Sequence, residues 1–455
     1  MKMFTFKGGI YPPEHKELSR DSKITDAFPS TRTVTIPVTM GGAPNECVVK
    51  VGDRVVKGQI LAQSDKYISV PVHASVTGTV KKIGPHMVTG NTEAPCITIE
   101  ADGSDETAYM APLDPFTCDE KDALKRIKDA GIAGMGGASF PTHVKLSPPE
   151  GMEIEYVILN AAECEPYLTV DYRTLKEETG KVVDGFAIEL RLLGAHGIIA
   201  LESNKADLLD ELKEAVSKAG YADDMEVRVV KTKYPQGCEK NLTLALLGRE
   251  IPAGCLPAAA GCLISNVGTV CAISDAFRFG KPLIERALTI SGGACETPEN
   301  IRVPIGTNVG DLIPEVIRLR NGEVAKIISG GPMMGFAMTN AMFPIVKGTS
   351  GVLFLTKKET SLADETPCIG CAACIRACPM NLAPVLMART IRSGDFEQAE
   401  KYGLTDCIEC GSCSYVCPAH IRLVQRFRYG KNVVRTRKTE AKTKAAAAQS
   451  SGGTK

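Results

Sequence analysis

Residues 367–381 read "PCIGCAACIRACPMN", and residues 406–420 read "DCIECGSCSYVCPAH". Each stretch sets four cysteines at the spacing C-x2-C-x2-C-x3-C, with proline after the last. Thiolates suit soft iron, and three cysteines spaced two residues apart wrap one face of a [4Fe-4S] cube. The fourth, held before proline, cannot bend back to that cube and serves the other one. The spacing therefore assigns Cys368, Cys371, Cys374 and Cys417 to one cluster. It assigns Cys407, Cys410, Cys413 and Cys378 to the second, so the two halves exchange a ligand. A zinc knuckle also uses paired cysteines, but it needs two per loop and leaves the third cysteine and the Cys-Pro without a purpose. The pair reads as a wire for single electrons.

The connector between the motifs predicts a helix over "LAPVLMARTIRS", with Leu382, Val385 and Leu386 on one face. A break at Gly394 follows, then a helix over "DFEQAEKY" with Asp395 as N-cap and Gly403 as stop. Residues 363–430 thus resemble the helical two-cluster ferredoxins found as subunits or domains of larger redox enzymes. Residues 431–455, "KNVVRTRKTEAKTKAAAAQSSGGTK", are basic and then small and polar, which predicts a disordered tail. From Arg422 to Lys444 there are nine Lys/Arg against one Glu. That excess suits an anionic membrane surface or an acidic partner, and equally a solubilising tail.

The chain has 455 residues, enough for about three domains, so most of it is something other than the cysteine motifs. Lys+Arg and Asp+Glu balance at 53 each, which disfavours nucleic acid as a partner. The opening "MKMFTFKGGIYPPEHK" has no secretory pattern and reads as a mature cytosolic start. Seventeen cysteines, eight of them in the two motifs, fit a reducing cytoplasm better than a disulfide framework. The most apolar window, residues 257–273, is too short and too rich in Pro and Gly to span a bilayer, so any membrane association is peripheral, through partners.

Residues 1–112 carry short β-type runs broken by Gly and Pro. "VKVGDRVVKGQIL" followed by "ASVTGTVKKI" resembles the barrel-sandwich hybrid of biotinyl and lipoyl carrier domains. Lys66 lies close to the carrier lysine, but neither Met-Lys-Met nor Glu-Thr-Asp-Lys-Ala surrounds it, and it reads as a solvated turn lysine. Residues 113–257 alternate helix and strand patterns, such as "EKDALKRIKDAG", "EYVILNA", "HGIIALE" and "KADLLDELKEAVSKAG", and predict a layered α/β domain. Residues 258–345 give strand, turn, strand and helix, and resemble a soluble-ligand-binding β-grasp domain. Residues 346–362 read as a linker.

Single-electron clusters fed by a hydride donor need a converter, and flavin is the usual one. "GIAGMGGASFPTHVK", residues 131–145, offers glycines whose N–H groups can surround a phosphate, with Lys145 as a point charge. This stretch, "NAAECEPYLTVDYR", "YPQGCEKNL" and "LISNVGT" stand in the order seen in the NADH-oxidising flavin subunit of respiratory complex I, which the α/β domain resembles. The resemblance implies that Gly134, Gly136, Gly137, Lys145, Asn160, Glu163, Tyr234, Gly237 and Asn266 hold FMN. It implies that Phe140 and Glu165 meet the nicotinamide nucleotide, with Glu239 near both. The chain departs from that pattern at Met135 (arginine there), Ala162 (aspartate), Tyr167 (glycine) and Cys238 (glutamate), and at Ser265 and Gly268. The nine cysteines outside the two motifs read as small buried hydrophobes, and for Cys164 and Cys238 the motif neighbours alone suggest a place at the border of the flavin site.

The complete order of modules resembles the C-subunit family of bacterial Rnf complexes, membrane-bound ferredoxin:NAD+ oxidoreductases that translocate Na+ or H+. The resemblance implies an NAD-linked oxidoreductase subunit, peripheral on the cytoplasmic face of the membrane. FMN would exchange hydride with NAD(H), and two [4Fe-4S] clusters would pass single electrons to the other Rnf subunits, membrane and ferredoxin-like. A soluble diaphorase subunit of a bifurcating hydrogenase or dehydrogenase, or a non-enzymatic carrier or scaffold, are the alternatives.

Overall fold

The computed structural model describes residues 3–137, 139–360 and 363–451, with side chains to residue 443. Among them the strands gather into four sheets. Two belong to the N-terminal unit. In one, Thr33–Pro37, Gly78–Val88 and Arg54–Val55 line up with Thr92–Ala101, and the other holds Glu46–Cys47, Ile60–Gln63 and Val72–His73. The alternation of "TVTIP" and "CITIE" turns Val34, Ile36, Ile97 and Ile99 into the space between the sheets, all fully buried.

The third sheet is parallel throughout, in the order Met225–Val230, His196–Glu202, Tyr156–Ala161, Cys262–Asn266. Its inner strands are near-continuous apolar runs because helices cover them, notably Thr179–Leu193 and Val267–Arg278, while the edge strand Met225–Val230 carries Glu226 and Arg228. The expected boundary at 257 is corrected here. Cys262–Asn266 pairs with Tyr156–Ala161, so the α/β unit runs on through the helix ending at Arg278. Sequence position hid this, because a parallel neighbour always arrives after a long crossover.

The fourth sheet is mixed, in the order Ile24–Asp26, Glu299–Pro304, Glu285–Ser291, Gly351–Leu355, Lys326–Ser329, Phe336–Met338. Two expectations change. Gly351–Leu355, inside the expected linker, is a fully buried central strand, and an apolar run such as "GVLFL" is too costly to leave in a solvated connection. Ile24–Asp26, from the N-terminal unit, joins this sheet alongside Glu299–Pro304.

The C-terminal unit is helical: Ala373–Ala377, Pro384–Arg392, Phe396–Lys401, Ser412–Tyr415 and Leu423–Ser451. The Asp395 carboxylate caps its helix by accepting from Gln398 N at 3.0 Å, and Gly403 takes a left-handed φ of 84° at the stop. The expected apolar face of the connector helix shifts. Leu382 precedes the helix, and the buried side carries Pro384, Met387, Ala388 and Ile391. The expected disordered tail is helical as far as Ser451, and residues 452–455 lie outside the described residues. Lys, Arg and Ala favour helix, and Val434 continues the buried face of Val424 and Phe427. Among the described residues no helix is long and apolar enough to cross a membrane.

Candidate functional site

In a parallel α/β sheet the carboxyl ends of the strands open the crevice where ligands bind. Asn160 and Asn266 stand there side by side, paired in register across neighbouring strands. The Asn266 side chain accepts from Gly268 N at 2.9 Å, capping Val267–Arg278, and donates to Asp171 at 3.1 Å. Asn160 Nδ2 donates to the Gly237 carbonyl at 2.8 Å, which brings "YPQGC" to the same edge. The glycine loop crosses above. A Cβ on Gly136 would stand 3.3 Å from Asn266, whereas one on Gly137 would meet open space within 4 Å. Lys145 donates to the Ile264 carbonyl and lies 3.7 Å from Glu239. Phe140 is exposed, and its carbonyl accepts from Gly134 N at 2.9 Å. Gly134, Gly136, Gly137, Lys145, Asn160, Gly237, Glu239 and Asn266 thus share one rim.

Buried polar atoms without partners mark this rim as a ligand site. Glu163 is held at a φ of 47°, its Oε1 accepts from Asp171 N at 2.7 Å, and its Oε2 has no hydrogen-bond partner among the described residues. Gln236 is fully buried with neither its amide oxygen nor its amide nitrogen partnered, and Glu189 Oε2 is likewise orphaned. Donors, acceptors and an open glycine loop fit the phosphate and polar ring edge of a flavin.

Glu165 and Tyr234 face a different neighbour. Glu165 accepts from Met333 N and Met334 N, each at 3.0 Å, and burial pushes its carboxyl up to about 7. The Tyr234 hydroxyl donates to the Cys410 carbonyl at 2.8 Å and lies 3.4 Å from Glu165 Oε1. Cys410 belongs to the second cysteine motif, and Tyr234 stands three residues before Gly237, so one short segment links the flavin rim to that motif. The N-terminal segment seals the same junction. Gly9 N donates to the Ala377 carbonyl, Ile10 pairs with Tyr234, and a Cβ on Gly8 would stand 2.6 Å from the Cys378 carbonyl.

The cysteines sort into two cavities. One, of about 630 Å³, is lined by Cys368, Cys371, Cys374 and Cys417 and carries Arg389, Arg392 and Arg426. The other is lined by Cys378, Cys407, Cys410 and Cys413. Each set supplies four thiols, the donor set of a [4Fe-4S] cube, with the exchange of Cys378 and Cys417 that the spacing predicts. Backbone N–H groups of Leu382 and Glu409 donate to Cys378 Sγ and Cys407 Sγ, each at 3.4 Å, contacts of the kind that tune a cluster's potential. Cys368 and Cys371 are exposed, whereas Cys378, Cys410 and Cys413 are buried.

Sequence reasoning missed four residues. Lys16 enters from the N-terminal segment and donates to the carbonyls of Glu163, Glu165 and Leu168. Arg286, buried, sets its guanidinium 3.0 Å from Met135 Sδ, so a distant strand brings a cation to the loop position whose own arginine is absent. Gln236 and Glu189 complete the set. Lys16, Glu189 and Arg286 carry no local signal, since each reaches the site from a remote element, whereas Gln236 stands inside "YPQGCEKNL" and was passed over between Tyr234 and Gly237.

Fold and site together define a flavin- and iron–sulfur-dependent electron-transfer protein. Family descriptions match in the same order: "RnfC Barrel sandwich hybrid domain" over residues 4–104, "Nuo51 FMN-binding domain" over 127–275 and "4Fe-4S dicluster domain" over 361–418. The chain belongs to the family of C subunits of ion-translocating ferredoxin:NAD+ oxidoreductase (Rnf) complexes. It is 45% identical over 433 residues to the C subunit of the proton-translocating ferredoxin:NAD(+) oxidoreductase complex of Clostridium ljungdahlii, covering 94% of this chain and 93% of that one. It is 39% identical over 410 residues to the Na(+)-translocating counterpart of Acetobacterium woodii, covering 89% and 91%. A solved NAD+-reducing [NiFe]-hydrogenase, air-oxidized, matches with a TM-score of 0.50 at 19% identity. That match covers 69% of this chain and 63% of the other, and shows a shared fold.

Proposed function

We propose that this chain is the peripheral subunit at which such a complex exchanges electrons with NAD(H). FMN held at the carboxyl strand ends supplies the conversion between hydride and single electrons. Gly134, Gly136, Gly137 and Lys145 would take its phosphate, with Asn160, Glu163, Gly237 and Asn266 orienting the ring. Phe140, exposed on the loop, and Glu239 would border the nicotinamide nucleotide. Glu165 and Tyr234 brace the wall toward the clusters.

The Tyr234 hydroxyl on the Cys410 carbonyl carries the reading of electron order, because it joins the flavin rim to one cluster and not to the other. The cluster of Cys378, Cys407, Cys410 and Cys413 is therefore the inner station. That of Cys368, Cys371, Cys374 and Cys417, exposed and flanked by arginines, is the outer one, facing partner subunits on the cytoplasmic side of the membrane. We read the six-stranded sheet as the β-grasp unit, because Glu285–Ser291 runs antiparallel to Glu299–Pro304 and parallel to Gly351–Leu355.

Anaerobic reconstitution with iron, sulfide and FMN, followed by NADH titration, tests the assignment. Flavin and cluster absorbance should bleach together. Iron loading without flavin uptake or NADH response would overturn it.

A further inference from the structure

The proposed reaction has one participant that the clusters cannot carry. The balance is NAD+ + H+ + 2 e− ⇌ NADH, and iron–sulfur clusters bring only the electrons. One proton must pass between water and the flavin site for every NADH made or used. The site lies among buried strand ends, so that proton needs a path.

We propose that Glu163, Lys16, Lys205 and Glu202 form this path, opening to water through the cavity beside Glu14 and Asn204. The inference rests on FMN occupying the carboxyl strand ends.

Glu163 is the inner end, its unpartnered Oε2 lying 3.8 Å from Lys16 Nζ. Lys205 Nζ donates to the carbonyl of Ala162, the residue before Glu163, at 2.6 Å and stands 3.6 Å from Glu202 Oε2. Each lysine is held beside its carboxylate by other oxygens, Lys16 by the Glu163, Glu165 and Leu168 carbonyls and Lys205 by the Ala162 carbonyl and Asn204 Oδ1, so transfer across either gap exchanges one of these contacts for the carboxylate. Glu202, Lys205 and Glu163 sit 1%, 1% and 3% exposed, far deeper than ordinary surface ion pairs. Glu202 and Lys16 also line a cavity of about 370 Å³ with Glu14, Asn204, Lys231 and Lys233, large enough for several waters, which these side chains could hold by hydrogen bonds. Asn204 donates to Glu14 at 2.6 Å at its mouth.

Two lysines and four carboxylates face one another along the path. Glu163 faces Lys16, Lys205 and Asp171, while Glu202 faces Lys205, Lys16 and Glu14. Burial pushes the Glu163 carboxyl up to about 7 and Glu202 upward, and pulls Lys16 down.

The test uses the full chain reconstituted with clusters and FMN, in wild type, Glu202→Gln and Glu202→Ala. NADH-driven bleaching is timed first. Recovery of flavin absorbance on mixing with ferricyanide, the step that must discharge the proton, is then timed in H2O and D2O. Glu202→Gln should bind FMN and bleach at the wild-type rate, yet recover ~10-fold or more slowly. Glu202→Ala should recover slowly until imidazole or formate buffer is added, a rescue that a merely structural role would not give. Wild-type recovery rate and solvent isotope effect in both variants would overturn the path, and so would a slow Glu202→Ala that no small acid rescues. A wild-type protein that binds no FMN would instead sink the flavin reading, and this inference with it, before any variant is made.

Discussion

Cys378 follows its own three cysteines in sequence yet lines the cavity of the other set. Cys378→Ser should therefore lose or alter the cluster of Cys407, Cys410 and Cys413, leaving the Cys368, Cys371 and Cys374 cluster intact, as iron analysis and EPR would report. Glu189 gives a second expectation. Its carboxyl is buried, accepts one hydrogen bond from Ser265 at 2.8 Å, and is pushed by burial up to about 7. The folded value lies above the unfolded one, so its contribution to stability is full below the unfolded value and is lost as pH rises through about 7. Glu189→Gln keeps the hydrogen bond and should remove part of that loss, on the order of 2 kcal/mol between roughly pH 5 and pH 8. Chemical denaturation of wild type and variant at the two pH values decides it. At this scale the cluster ligands were legible, because one loop supplies three of them at short, fixed spacing. Lys16 and Arg286 were not legible, since each acts across the fold on residues far away in sequence.

Among the elements, the C-terminal helix does more than carry surface charge. Lys431 donates to the Cys407 carbonyl and pairs with Glu409 at 2.8 Å, and Val434 packs into the core of the helical unit. A chain ending after Gly430 should keep its FMN but bind the Cys407-containing cluster less firmly, seen as faster iron loss to a chelator with flavin content unchanged. The composition of residues 431–455 resembles a solvated tail, yet its helix formers extend a helix already anchored at Val424 and Phe427. Capping signals at Asp395 and Gly403 read correctly because they act within one turn. The buried face of the preceding helix did not, because the fold, rather than its own periodicity, decided which side met the core.

For the whole molecule, the modules were legible in order, but their edges were not. Cys262–Asn266 and Gly351–Leu355 each pair with strands far from them in sequence, and no local pattern announces such a partner. The junction between flavin rim and inner cluster is likewise a property of the assembled chain. Gly8 meets that junction at a φ of 85°, with no room for a side chain against the Cys378 carbonyl. Gly8→Ala should loosen it, so that NADH still bleaches flavin while cluster reduction lags, as rapid-mixing absorbance would show. The N-terminal segment touches the three units beyond the barrel-sandwich: Phe4 bridges to Val230, Ile10 to Tyr234, Gly9 reaches Ala377, and Ile24–Asp26 completes the mixed sheet. During synthesis these residues leave the ribosome about 370 residues before Ala377 and Cys378, the last of their contacts to be made. The segment must wait, unseated, while the rest of the chain emerges, and it locks down only when flavin unit and cluster unit are both present. Its seating is in effect a check that both units have been made and docked.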